Sequence, residues 1–389
     1  MKKMIIITSV VVVILLLALI PVLSNKTAEK TRQEPASSEQ IKKDTDKKKT
    51  VKPPPKKTEP QETVHTATIG AVGDVLIHDR VYNKAKKRDG SYDFNPMLKE
   101  VNPYLEKPDI TVANQETMIG GEKLGLSSYP SFNSPQEVGD ALKKNGVDLV
   151  TIANNHTLDR GEKAILSAIN HWNEIGMPYT GAFQSSKDQR IIRILKRNQI
   201  TFSFLSYTFG TNGIPVPKGK PYLVNLIDVK KMKADLHQAE KISDVVVISL
   251  HFGNEYERMP NETQKELVQM AADSGADIII GHHPHVLQPV SWIKKKNGER
   301  AFAAYSLGNF FSGQTGPYKN IGGMMDIRVK KIQKGNNVKI ELENPAFLPT
   351  WVDRSWHVHP MRDVKTQKKQ YREIKKHMNQ YVPELQFSF

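Results

Sequence analysis

An α/β fold with strands covered on both faces is predicted for most of this chain by three observations. From Val64 onward, short β-branched runs alternate with segments of helical pattern. Several runs are apolar at successive positions, as in a sheet packed on both sides. Five of them end in clusters of acid, amide or imidazole groups, at the strand ends where open α/β sheets bind ligands.

The chain starts differently. After Met1-Lys2-Lys3-Met4, an apolar run extends from Ile5 to Leu23. Its roughly nineteen residues reach about 28 Å as a helix, close to a bilayer core of about 30 Å. Lys2 and Lys3 place the short N-terminus in the cytoplasm and everything after Leu23 outside. Val22-Leu23-Ser24 is a poor signal-peptidase site, and the run exceeds the usual apolar core of a signal peptide, roughly 7–15 residues, so an uncleaved anchor is expected over 1–24. Residues 25–63 turn to Lys, Glu, Thr, Gln and Pro, with Lys47-Lys48-Lys49 and Pro53-Pro54-Pro55. With almost no large apolar side chains, that stretch cannot offset its ordering entropy and reads as a tether.

The folded part is expected over 64–330, with C-terminal strands and a tail over 331–389 packing on it. Strands are predicted at Thr66–Val72, Ile110–Ala113, Val147–Ala153, Ile200–Tyr207, Val245–Leu250 and Ala276–Ile280. Helices are predicted at Pro135–Lys144, started by Ser134 with proline in the first turn, and at Glu162–Glu174, Val229–Lys241 and Thr263–Ser274. Beyond Ile293 the pattern becomes strands: Ala301–Ser306, Met324–Lys330 and Val338–Leu342.

The sequence contains no cysteine, which excludes disulfides, zinc-thiolate sites and thiol catalysis. Its formal charge of +15 favours a polyanionic neighbour, whether nucleic acid, anionic lipid, wall polymer or an acidic substrate, and by itself does not choose among them. Chemistry concentrates in the five clusters: Gly73-Asp74, Asn114-Gln115-Glu116, Asn154-Asn155-His156, His251-Phe252-Gly253 and Gly281-His282-His283-Pro284-His285. Carboxylate, amide oxygen and imidazole together suit Mn, Fe, Zn or Mg. His283 and His285, one rigid residue apart in an extended strand end, are expected to lean to one side and serve two ions. Asp74 or Glu116 could bridge such a pair. His65, His171, His237, His357 and His359 lack comparable neighbours.

The same clusters, extended by Thr157-Leu158-Asp159-Arg160-Gly161, Asn254-Glu255-Tyr256, Val286-Leu287-Gln288 and Tyr305-Ser306-Leu307-Gly308-Asn309-Phe310, resemble the ordered signatures of the CapA/PgsA family of poly-γ-glutamate capsule biosynthesis. The resemblance implies a calcineurin-like metallophosphoesterase sandwich, β-sheets flanked by helices, behind an N-terminal transmembrane helix. It implies divalent ions held by Asp74, Glu116, Asn155, His251, His283 and His285, with His156 as the catalytic imidazole. Two departures stand out. The usual Asp-x-His becomes Asp74-Val75-Leu76-Ile77-His78, and the usual Gly-Asp-x-x-Asp becomes Ala113-Asn114-Gln115-Glu116. His78 and Asn114 are therefore candidates for outer positions. Asp159 and Arg160 either orient His156 or cap the helix near Glu162. Glu255 could face substrate, and Asn309 sits in a turn-like Gly-Asn that either forms a loop or contacts substrate.

The resemblance also implies an extracellular component of the polymer synthase complex that binds or processes the emerging polyanion, poly-γ-glutamate or a similar polymer. Its partners would be a cytoplasmic ligase and integral-membrane subunits, with the membrane itself and without nucleic acid. ATP-driven amide formation belongs where ATP is, so an outside domain is not the ligase. A metal-dependent hydrolase of phosphate esters or amides, and a scaffold with a vestigial metal site, are the alternatives.

Overall fold

The computed structural model describes residues 61–388. The expected anchor, and the tether up to residue 60, lie outside them. Among the described residues no helix is long and apolar enough to cross a membrane.

Among the described residues, fourteen strands form two sheets. In chain order they are β1 (Glu62–Leu76), β2 (Ile110–Gln115), β3 (Leu149–Thr151), β4 (Tyr179–Thr180), β5 (Arg193–Arg197), β6 (Ile200–Thr208) and β7 (Val245–His251). There follow β8 (Ile278–His282), β9 (Leu287–Lys294), β10 (Arg300–Leu307), β11 (Asn309–Ser312), β12 (Ile321–Lys334), β13 (Asn337–Val352) and β14 (Val358–Pro360). The first sheet runs β14-β13-β12-β1-β2-β3-β4, with β11 also paired to β1, and the second runs β5-β6-β7-β8-β10-β9. Strands β1 to β4 are parallel neighbours, as are β6, β7, β8 and β10.

Alternation within single strands explains the layering. In β7, Val245 and Val247 point into the core between the sheets, while Val246 and Ile248 meet the helices Val229–Ile242 and Glu262–Asp273. The inter-sheet core joins Ile69, Ala71 and Val112 of the first sheet to Phe202, Phe204 and Phe302 of the second. On the far side of the first sheet, Val72, Val150 and Ile152 pack with Trp172 of helix Gly161–Glu174 and Leu142 of helix Glu137–Lys144. The result is helices, sheet, sheet, helices. Each fully buried Phe, Ile or Leu in these layers is worth about 1.5–3 kcal/mol over exposure.

Two expected boundaries move. β1 begins at Glu62, inside the expected tether, because its exposed polar start pairs with β12 in the register Glu62↔Lys334. The division at 330 falls within β12, and β13 pairs along that strand from Ile321↔Trp351 to Lys334↔Asn337. The C-terminal strands are therefore part of the first sheet.

At two points near the strand ends, backbones come too close for side chains. A Cβ on Gly73 would lie 2.0 Å from the Gly308 carbonyl oxygen, and one on Gly281 would lie 1.9 Å from that of Tyr305. Glycine is required at both points. The amide of Asp74 donates to the Gly308 carbonyl at 2.8 Å, so the β1–β11 contact sets the first site residue.

Candidate metal centre

Five strands from both sheets deliver their polar ends to one place. Asp74 lies near the end of β1, Glu116 follows β2, Asn155 and His156 follow β3, His251 ends β7, and His283 and His285 follow β8. All seven side chains are buried.

Asp74 is fully buried and densely hydrogen-bonded. Its Oδ1 accepts from Asn114 Nδ2 at 2.9 Å and lies 3.1 Å from His282 Nδ1, and its Oδ2 lies 3.1 Å from His285 Nδ1. Burial alone would raise its carboxyl, but the His282 and His285 hydrogen bonds hold it well below the usual carboxylate range. With Asp74 ionised, each imidazole donates through Nδ1, and His285 keeps Nε2 for another partner.

Glu116 is the opposite case. It is fully buried, and neither carboxylate oxygen has a hydrogen-bond partner. Its Oε1 lies 3.5 Å from His251 Nε2 and 3.6 Å from His285 Nε2. Burial pushes its carboxyl well up. Burial would depress His285, but Glu116 and then Asp74 draw it up to about 9. His251 is held well below the usual imidazole value, and His283 falls to about 3, in both cases chiefly by burial.

A buried carboxylate without partners is costly, and a divalent cation is the natural compensation. The geometry fits one on each side of Glu116. Asp74, Glu116 and His285 offer ligand atoms within 4.8 Å of one another, and so do Glu116, His251 and His283. Asn155 joins the second group, since its Oδ1 lies 2.7 Å from His251 Nε2. The spacing of the two imidazoles is not that of an extended strand. His283 and His285 take φ of 97° and 57°, left-handed values that strain non-glycine residues and cluster at functional sites.

His156 stands beside these groups in the wall of a cavity of about 340 Å³. Its Nδ1 lies 2.7 Å from Asp159 Oδ2, which also accepts from the Phe132 amide at 2.8 Å. Asp159 thus orients the imidazole. The capping alternative fails for both residues: Arg160 occupies the N-cap position without a side-chain bond and instead donates to the Gly125 and Leu124 carbonyls and to Ser127 Oγ.

The remaining candidates separate by position. His78 lines the cavity but belongs to neither ligand group. Its Nδ1 bonds the Leu76 carbonyl at 3.0 Å, and burial lowers it to about 4. Glu255 is exposed at the cavity rim, within reach of His283 and His285. Asn309 opens β11 rather than a loop, paired opposite Asp74, and its Nδ2 donates to Gln314 Oε1 and the Lys319 carbonyl. Two residues escaped the sequence reading. His282 stands in the quoted run but outside its His-x-His pattern, and it bonds Asp74. Asn212 has no motif at all; its Oδ1 accepts from Asn155 and its Nδ2 lies 3.3 Å from His156 Nδ1.

The profile of the bacterial capsule synthesis protein family PGA_cap matches residues 68–314, more than half of the chain and every residue of the ligand groups. The chain belongs to this family. The capsule biosynthesis protein CapA of Bacillus anthracis is 29% identical over 251 residues, and the match covers 62% of this chain and 59% of that protein. The PGA biosynthesis protein CapA of Bacillus subtilis strain 168 is 28% identical over 264 residues, covering 67% of each chain. A Staphylococcus aureus protein named as a candidate 5'-nucleotidase, solved with α-ketoglutarate, superposes with a TM-score of 0.44 at 14% identity, covering 79% of this chain and 58% of that one. The PGA_cap match spans the site-bearing ends of all five strands that build the centre, with the first residues of β1 and all of β12, β13 and β14 beyond it.

Proposed function

We propose that this chain is a membrane-anchored, extracellular component of poly-γ-glutamate capsule assembly, whose domain binds and processes the polyanion at a centre for two divalent cations. Family membership and the CapA relatives support the capsule role. The Ile5–Leu23 run supports the anchor, and the charge of +15 suits an acidic polymer. The observation that carries the metal reading is Glu116, fully buried, unpartnered at both oxygens and shared between two ligand groups.

Asp74, Glu116 and His285 would hold one ion, and Glu116, Asn155, His251 and His283 the other. Bound there, divalent cations would supply Lewis-acid polarisation and a more acidic water. The chain's own residues do the rest. Asp159 fixes His156 with Nδ1 as donor, which leaves Nε2 to give or take a proton at a substrate atom in the cavity. Asn114 and His282 hold the Asp74 carboxylate in place.

The test is elemental analysis of the purified full chain and of Glu116→Gln, His283→Ala and His156→Ala, with capsule output measured in cells. The first two variants should lose metal and capsule together, and His156→Ala should keep metal while capsule output falls. Metal-free wild type with full capsule output rejects the centre. Metal lost without loss of capsule would make the chain a scaffold.

A further inference from the structure

The cavity that His156 lines does not end at the metal centre. Its outer wall is the segment 313–320 between β11 and β12, and a second hollow of about 600 Å³ lies along that same segment. Gln314 and Thr315 line both. A second link is Arg80, which lines the first cavity and lies 5.8 Å over the ring of Trp356 in the second. Asn309 fastens the segment at two points, Gln314 Oε1 and the Lys319 carbonyl, so the shared wall is tied to the strand paired with Asp74.

The chemistry of the two hollows is complementary to one kind of molecule. In the first, Glu255 lies on the side of the imidazoles, while Arg80 and Lys319 are its cations. Lys319 forms no ion pair among the described residues; its Nζ sits 3.4 Å over the Tyr256 ring. In the second, Arg354 is exposed and also makes no ion pair among the described residues. The carboxylate there, Asp353, is already engaged by the amides of Ser355 and His357 and by His359. The same hollow is lined by the amides of Gln367, Gln370 and Asn320 and by Trp351 and Trp356. Free cations match carboxylates, side-chain amides match amide bonds, and indole faces match methylene groups.

We propose that the two hollows are one groove, in which an extended polyamide with a carboxylate on each unit crosses Gln314, so that units remote from the reacting atoms are held between Arg354 and Trp356. This rests on the polymer reading above and adds to it a binding region outside the metal centre. The remote units contribute affinity and hold the chain in register over His156.

The test uses the detergent-solubilised full chain and fluorescent γ-linked glutamate oligomers, one a dimer and one long enough to fill both hollows. Wild type should bind the long oligomer more tightly than the dimer. Arg354→Gln with Gln370→Ala should weaken the long oligomer about tenfold and leave the dimer unchanged, since a charge-assisted contact is lost only by the longer ligand. Equal effects on both lengths, or none on either, overturn the groove while leaving the polymer reading intact. No binding of either oligomer by wild type overturns both. Competition by inorganic polyphosphate as effective as by the long oligomer would show charge attraction alone, and would also overturn the polyamide groove.

Discussion

Asp159 fixes the orientation of one imidazole, and in the proposed function that imidazole is the proton carrier. Its carboxylate is 2.7 Å from His156 Nδ1 and belongs to neither ligand group. In Asp159→Asn the amide oxygen can still accept from the Phe132 amide, but the carboxylate that selects the Nδ1–H tautomer is gone. Metal content should stay at the wild-type level while capsule output falls about tenfold to hundredfold, and equal loss of both would refute the orienting role. The residue scale is also where the sequence was most legible. Asp74, Glu116, Asn155, His251, His283 and His285 were picked from strand-end position and family resemblance, and they come together. Asn212 was invisible because its role comes from the loop after β6 reaching Asn155 beyond the end of β3, a contact no local pattern encodes. The backbone of His283-Pro284-His285 was misread because alternation describes strands, and these residues lie just past one.

Single elements show how the frame reaches the site. Helix Glu262–Asp273 carries a capping box: Asn261 accepts from the Gln264 amide at 2.9 Å while Gln264 Oε1 accepts from the Asn261 amide at 3.1 Å. Gln264 then donates to Gln288 of β9, and Gln288 holds the Glu257 and Met259 carbonyls just beyond Glu255. Asn261→Ala should cost about 1 kcal/mol, read as a lowered denaturant midpoint at unchanged slope. A change well below that would mean that Gln264 is held by Gln288 alone. The Asn-x-x-Gln signature was readable, although the sequence reading started this helix at Thr263 without a cap. Other strands were not readable. β4 has two residues, and β5 alternates half-buried and exposed positions of mostly basic character. Nor does periodicity reveal a strand's neighbours, so assignment of β1–β3 and β6–β8 to different sheets emerged only in three dimensions.

Across the whole molecule, the edge strand β14 is fastened to the first sheet's helical side by a charged trio. His359 Nδ1 lies 2.7 Å from Glu100 Oε2 and its Nε2 3.1 Å from Asp353 Oδ2. Burial lowers the imidazole's affinity for its proton, but the two carboxylates outweigh it and the pKa is raised. A raised pKa means that the folded state binds the proton more tightly. The stabilisation is therefore complete below the ordinary histidine value of about 6.5 and is lost as pH rises through the folded one. The melting-temperature gap between wild type and His359→Gln should shrink from mildly acidic to alkaline buffer, and a gap that grows would reverse the assignment. The close backbone contacts of Gly73 and Gly281 have a consequence for genetics. Substitutions at Gly73 or Gly281 would collide with carbonyls 2.0 Å and 1.9 Å away, beside Asp74 and His282. In a screen for capsule-negative strains they would map to the heart of the ligand groups and pass for lesions of chemistry. Their cause would be loss of folded protein, so immunoblot abundance, rather than map position, has to decide which alleles inform on mechanism.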